Sequence, residues 1–520
     1  MPPKVVIVGG GTAGWMSASY LQAAFGDRVE IAVIESDRVP TIGVGEATFS
    51  TIRHFFEYLG LAEPDWMPAC GATYKLGIRF ENWRRDGHYF YHPFERLRSV
   101  DGFPVSEWWL AHRDGDRPDR DIFVMAALGD ALRAPRFLDG RLFEDPGTTA
   151  DQQVTGRTTL SEQATQFPYA YHFDAALLAK FLQKRAVRLG IRHVLDDVLD
   201  VALDERGFID HLVTKNHGEL RGDLYIDCSG FRGLLVNKAL GEPFESYQDY
   251  LPNDRAVALR VPADQERDGI PPYTRATAMG AGWIWTIPLF HRNGMGYVYS
   301  ADYCSADEAE RTLREYVGPA AADLEANHIK MRVGRSRRFW VRNCVAIGLS
   351  GGFVEPLEST GIFFIQYGIE QLIKHFPELG HTEDLSASYN TLLARCLDGV
   401  REFLFLHYYA AAREDNRYWK DARRREMPPG LAERLDAWQF RLPDAETVWP
   451  YYHGFEPYSY IAMLLGLGGV QTAPRPVLRL MDPARAEREF AAVTARADDL
   501  VRTLPSHYEY VASLHAAARG

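Results

Sequence analysis

At 520 residues, 46% hydrophobic and 25% charged, the chain has the make-up of an ordinary globular protein with room for about two to four domains, which excludes disordered and fibrous classes. A formal charge of −12 and a single compact basic run, Arg423 to Arg425, exclude a nucleic-acid or anionic-membrane partner. Five scattered cysteines in no ligand spacing, an N-terminus that passes from MPPK straight into VVIV, and no apolar run of about 18 residues point to the cytoplasm, with no membrane span and no metal site.

The first predicted element is a buried strand, KVVIV, followed by a glycine turn and a helical pattern, GGGTAGWMSASYLQAAFG. Gly9, Gly11 and Gly14 stand in GxGxxG spacing. The first permits a tight turn, the second lets the backbone approach a pyrophosphate, and the third lets helix and strand pack closely, while the helix N-terminus supplies amides and a positive dipole. RVEIAVIESD then predicts a second strand bearing Glu35, the acid expected about 20 residues on to bind an adenosine ribose. Strand, glycine turn, helix and acid follow in the order of a dinucleotide-binding module.

Further along, TYKLGIRF predicts an alternating strand with Lys75, a residue type whose stem ordinarily carries its charge out to water. GDLYIDCSGFRG, Gly222 to Gly233, and NCVAIGLSGGF, Asn343 to Phe353, each predict a strand entering small residues. Between them, AGWIWTIPLF puts Trp283 and Trp285 on one strand face, either as core or as a wall of two indoles. LSGGFVEPLESTGIFFIQ sets Glu355 and Glu358 in an otherwise apolar, glycine-rich run, where carboxylates need compensation for lost hydration. Glu355 is expected to bond backbone amides of the same turn. The STG that follows reads as a helix cap by Ser359 or Thr360, or as a small anion pocket of backbone amides. From about residue 376 the pattern is helical, as in SASYNTLLARCLDGVREFLFLHYYAAARED. No second GxGxxG follows a strand, so no separate NAD(P)H site is visible.

The segments at 222–233 and 343–353 resemble the flavin-contacting parts of the FAD monooxygenase superfamily, with Leu349 where hydroxylases carry aspartate. Lys75, the WxWxIP of Trp283 to Pro288, and Glu358-Ser359-Thr360-Gly361, taken with the N-terminal glycines, resemble the flavin-dependent tryptophan halogenases across nearly the whole chain. IGVGEATFST, YFYHPFERLR, QFPYAYHFD and YYHGFE bring it closest to the tryptophan 5-halogenase of pyrroindomycin biosynthesis. The resemblance implies an α/β fold: a discontinuous FAD-binding, Rossmann-like domain of monooxygenase type over 1–375, with core pieces near 1–80, 175–260 and 330–375 and substrate-binding insertions, then a mainly helical region over 376–520 that caps the substrate pocket.

It also implies a set of roles. FAD, used as FADH2, meets Gly9, Gly11, Thr12, Ala13, Gly14, Glu35, Ala47, Val198, Leu349 and Ile362, and halide, chloride or bromide, sits at Thr360 and Gly361. Trp283 and Trp285 separate flavin from substrate, so that hypohalous acid made with O2 travels to Lys75, which holds it by a hydrogen bond or as a haloamine. Glu358 stabilises the cation formed on the indole and takes the displaced proton; a pairing with Lys75 is also open. L-Tryptophan is held by Phe49, Ser50, His92, Pro93, Phe94, Gln163, Gln166, Phe455 and Tyr458, with Tyr451 and Tyr452 nearby. Halogenation at C5 is expected, with C6, C7, a peptide-borne tryptophan or another indole or phenol as alternatives. Reduced flavin comes from a separate NAD(P)H-dependent flavin reductase, and a homodimer is compatible with the resemblance. The rival readings are an FAD-dependent aromatic hydroxylase and a non-catalytic flavin-binding protein.

Overall fold

The computed structural model describes residues 2–38, 45–143, 169–377 and 383–517. Its first layer is a six-stranded sheet in the order Arg192–Leu195, Glu30–Glu35, Lys4–Val8, Leu224–Asp227, Cys344–Ala346 and Trp340–Val341. All neighbours are parallel except the last pair. Parallel strands are covered on both faces, which is why Val5 to Val8 are buried without alternation. Helices Thr12–Phe25, Ala175–Arg188 and Gly361–Lys374 pack together beside this sheet. Asp174 starts the second of them, its carboxylate accepting from the amides of Ala176 and Leu177 at 3.0 and 3.2 Å.

A second, seven-stranded sheet runs Asn327–Lys330, Arg255–Pro262, Arg292–Tyr299, Gly282–Pro288, Tyr273–Met279, Gly77–Glu81 and Tyr89–Pro93. Its central strand carries Trp283 and Trp285. The segment TYKLGIRF, expected as one strand, divides at Leu76: Thr73–Lys75 pairs with Ala170–Phe173 in a small three-stranded sheet, whereas Gly77–Glu81 joins the large one. Leu76 bridges the two, its amide donating to Pro272 at 2.7 Å and its carbonyl accepting from Phe94 at 2.9 Å. Alternation continues through such a crossing, so periodicity alone does not reveal it.

After residue 383 the ordered elements are helices, among them the 28-residue helix Glu383–Ala410, then Arg417–Arg423, Leu431–Trp438, Pro457–Leu467, Ala484–Thr503 and His507–Ala517. The long helix is buried along its C-terminal half, from Leu393 to Ala410 on its inward face. Among the described residues no helix is long and apolar enough to cross a membrane.

Candidate active site

An elongated cavity of about 580 Å³ opens at the carboxyl ends of the parallel strands. Of the residues nominated for FAD, Gly9, Gly11, Thr12, Ala13, Glu35, Ala47, Val198, Leu349 and Ile362 all line it. Gly14 does not; a Cβ there would lie 1.8 Å from the carbonyl oxygen of Gly9, so its part is to let the helix close on the turn. At Gly11, by contrast, an added Cβ would meet nothing within 4 Å, which leaves the turn open toward the cavity. Glu35 is steadied by His193 at 2.6 Å and by the amide of Gln183 at 2.9 Å. This combination of backbone cradle, helix N-terminus and acidic residue fits a dinucleotide cofactor.

Trp285 borders the cavity, and Trp283, 6.3 Å away between ring centroids, lies behind it with 1% of its surface exposed. The indole N–H of Trp283 donates to Oε2 of Glu355 at 2.9 Å. The same oxygen accepts from Asn253 at 2.8 Å and from the hydroxyl of Tyr408 at 2.6 Å. Glu355 therefore anchors Trp283 through side chains, and the expected bonds to backbone amides of its own turn are not what holds it. Burial pushes its carboxyl up, against the pull of the three donors.

Three residues on, Glu358 meets a different environment. Nδ1 of His92 lies 3.0 Å from its Oε2, and Nε2 of His407 lies 2.7 Å from its Oε1. Burial by itself would raise this carboxyl, but the two imidazoles hold it well below the usual carboxylate range. Ser359 follows with a left-handed backbone at φ 61°, an uncommon conformation for a residue with a side chain. Its hydroxyl accepts from Nζ of Lys75 at 2.9 Å while the residue itself borders the cavity.

Lys75 does not reach water. It is fully buried, with Thr48 O as its second acceptor at 2.9 Å and the Phe94 ring 5.3 Å from its nitrogen. Burial lowers its amine to about 7, against the attraction of Glu358. Among the described residues no ion pair joins Lys75 to Glu358; the structure brings them to the two sides of Ser359 instead. Thr360 begins helix Gly361–Lys374 without a side-chain cap, and its buried hydroxyl has no protein partner. Helix capping thus leaves that hydroxyl available, and Gly361 beside it lines the cavity.

Around this group stands an aromatic cluster. Phe49 meets Phe94, Phe363 and Phe455 at 5.9, 5.4 and 5.4 Å, and His92 meets Phe455 and Tyr458 at 6.4 and 5.9 Å. Pro93 and Ser50 are buried beside these rings in sequence. Tyr451 and Tyr452 are on the surface, 41% and 37% exposed. Gln163 and Gln166 lie outside the described residues. His407, Tyr408 and Phe403 were not singled out by sequence reasoning; the last packs tilted against Phe455 at 4.1 Å between ring centroids. In the sequence they are part of a long apolar helix, and a histidine in FLFLHYY is as good a core residue as a ligand to a carboxylate. No group of three or more His, Cys, Asp or Glu side chains among the described residues is placed to hold a metal ion.

A Rossmann-like fold whose cavity is bordered by Trp285 and by the turn of Ser359, with a buried glutamate and a buried lysine next to that turn, has the architecture of a flavoenzyme. Residues 4–483 match the tryptophan halogenase family, and the chain belongs to it. It is 62% identical over 514 residues to the tryptophan 6-halogenase SttH of Streptomyces toxytricini, covering 99% of this chain and 98% of that one; the crystal structure of SttH superposes with a TM-score of 0.95. It is also 62% identical over 511 residues to the 7-chloro-L-tryptophan 6-halogenase KtzR of a Kutzneria species, covering 98% and 99% of the two chains. Tar14, a tryptophan C-6 flavin-dependent chlorinase from taromycin biosynthesis, has 59% identity, a TM-score of 0.94, and coverage of 98% and 99%. The protein is thus a flavin-dependent tryptophan halogenase that uses FADH2, halide and O2. The expected proximity to a 5-halogenase finds no support among these relatives, whose names place halogen at C6.

Proposed function

We propose that the chain halogenates the indole ring of free L-tryptophan at C6, with Lys75 delivering the halogen and Glu358 taking the proton that leaves. The observation that carries this reading of the site is the burial of Lys75 between two neutral acceptors, one hydrogen bond from the cavity edge and one residue from a carboxylate held ionised. Identity of 62% to two enzymes named for C6 supports the ring position.

Gly9, Gly11, Thr12, Ala13, Glu35, Ala47, Val198, Leu349 and Ile362 would hold FAD, and Thr360 and Gly361 the halide. Bound there in reduced form, the cofactor supplies electrons to O2 and so the oxidising power that turns halide into hypohalous acid. Trp285 and Trp283 keep the organic ring on the far side, so the cofactor's oxygen chemistry does not reach it directly. Lys75, anchored by Thr48 and Ser359, holds the oxidant at a fixed point. The aromatic cluster of Phe49, His92, Phe94, Phe455 and Tyr458 orients the indole so that one benzo carbon faces that point, which is what selectivity requires when C3 is intrinsically more reactive. As the carbon–halogen bond forms, Glu358 stabilises the ring cation and then accepts the proton lost from the same carbon.

Purified protein given FAD, a separate flavin reductase, NADH, O2, chloride and L-tryptophan should yield 6-chlorotryptophan by NMR; a 5- or 7-chloro product would refute the ring position, and hydroxytryptophan the reaction. A second reading concerns the acceptor: equal identity to an enzyme named for 7-chloro-L-tryptophan favours testing that compound in competition with tryptophan. We place the protein in the cytoplasm, where a reductase would renew FADH2.

A further inference from the structure

The hydrogen bonds of His407 leave its proton count over-determined. Nδ1 lies 2.8 Å from the carbonyl oxygen of Phe403, one turn back in helix Glu383–Ala410, and a peptide carbonyl can only accept. Nδ1 therefore carries a hydrogen. Nε2 lies 2.7 Å from Oε1 of Glu358, a distance that also requires a hydrogen between the two atoms. A neutral imidazole has just one, already committed, so the second resides either on Nε2 or on the carboxyl oxygen. Glu358 is additionally contacted by Nδ1 of His92, a second imidazole nitrogen on the same carboxylate, and this favours the ionised acid.

We propose that His407 is a positioning residue: it bears a hydrogen on both ring nitrogens, forms a buried imidazolium–carboxylate pair with Glu358, and thereby withholds Glu358 as a counter-charge from Lys75. The geometry around Lys75 agrees. A fully buried lysine with a free carboxylate nearby would be expected to pair with it, yet both acceptors of its Nζ are uncharged oxygens. The titratable groups facing the pair are His92 from strand Tyr89–Pro93, Lys75 from strand Thr73–Lys75, Tyr458 from helix Pro457–Leu467, and Glu355 of the same turn with Tyr408 beside it. Glu355 is turned toward Trp283, Asn253 and Tyr408, so it does not compete for His407.

The consequence for the reaction is a neutral amine at Lys75. A neutral amine can be chlorinated by hypochlorous acid: a nitrogen–chlorine bond forms, the chlorine–oxygen bond breaks, and the amine hydrogen leaves with the hydroxide as water. His407 thus sets which form of Lys75 meets the oxidant without touching oxidant or substrate.

This rests on the roles given to Lys75 and Glu358 above, and the test separates the two. In the full-length protein, nitrogen NMR with labelled histidine should show a hydrogen on both ring nitrogens of His407. One bare nitrogen would overturn the proposal, whether or not Lys75 proves necessary for chlorination. The variant His407→Gln keeps an N–H donor and removes the charge. With carbon-labelled lysine, the titration of Lys75 should then move upward from about 7 by about one pH unit or more. The acid limb of the chlorination rate should move with it, while hypochlorous acid formation stays level. An unmoved Lys75 titration would leave His407 a packing residue only. If His407→Gln does not fold, the wild-type nitrogen spectrum decides the matter by itself.

Discussion

Around the cavity at the ends of the parallel strands the chain offers a glycine turn with its backbone amides and Glu35 at the end of the second strand, whereas around Lys75 and Glu358 every polar atom but the Thr48 carbonyl comes from a side chain. The glycine turn of the first region is contiguous in sequence, closed by Gly9 and Gly14 only five residues apart, and the rest of that lining is added from segments as distant as Ile365. The second gathers residues 75, 92, 358, 359 and 407 from four separate elements and the turn between them. A cofactor that recurs in many enzymes is met by backbone geometry that any sequence with the right glycines can form; a reaction particular to one substrate is met by long-range convergence.

Glu355 and Glu358 repeat the contrast within one turn. Both are buried, but burial pushes the first up while imidazoles bring the second down. One holds the Trp283 indole in place and the other is kept ionised.

The largest effect that would test this division is Lys75→Ala. Chlorotryptophan formation should drop by about a thousandfold or more, with FAD binding and hypochlorous acid production intact; retained chlorination would remove the lysine from the far compartment's chemistry. Glu358→Gln should slow single-turnover chlorination about a hundredfold and leave the flavin side untouched. On that side, Gly11→Ala and Gly14→Ala should part company. The first places a methyl into open cavity and should weaken FAD binding about tenfold with little change in melting temperature; the second meets the Gly9 carbonyl and should lower stability before any ligand is added. Equal behaviour of the two would undo the distinction between cradle and packing.

Acidity sharpens the comparison further. The Lys75 amine is brought to about 7, so its neutral fraction grows as pH rises through that value rather than near the ordinary lysine range. With the neutral amine as the acting form, chlorination should rise across this interval; a decline would show that the ammonium acts instead. The smallest effect belongs to the wall. Trp283→Phe deprives Glu355 of one of three donors and should cost about 1–3 kcal/mol in urea unfolding, and hydroxylated tryptophan appearing among the products would show that the two compartments had begun to mix.

Much of this was legible beforehand because it is local. The glycine turn, Glu35, the WxWxIP strand and the ESTG turn each announce themselves within a dozen residues, since tight turns and close approaches demand particular residue types. Resemblance then supplied the class of reaction, but not its ring position: the relatives carry C6 in their names, and a small rotation of a flat substrate is invisible to short motifs.

What the amino-acid order determined by itself was the dinucleotide cradle and the presence of two glutamates that needed partners, because both follow from backbone sterics and hydration. Who those partners are was decided only by the folded chain. His407 and Tyr408 stand side by side on a helix some 50 residues away, and one clasps each glutamate. Leu76 turns the chain from one sheet into another and so sends the Lys75 side chain inward instead of out to water. Charge in a protein interior is governed by whatever distant groups come within a few ångströms, and linear order carries no record of that distance.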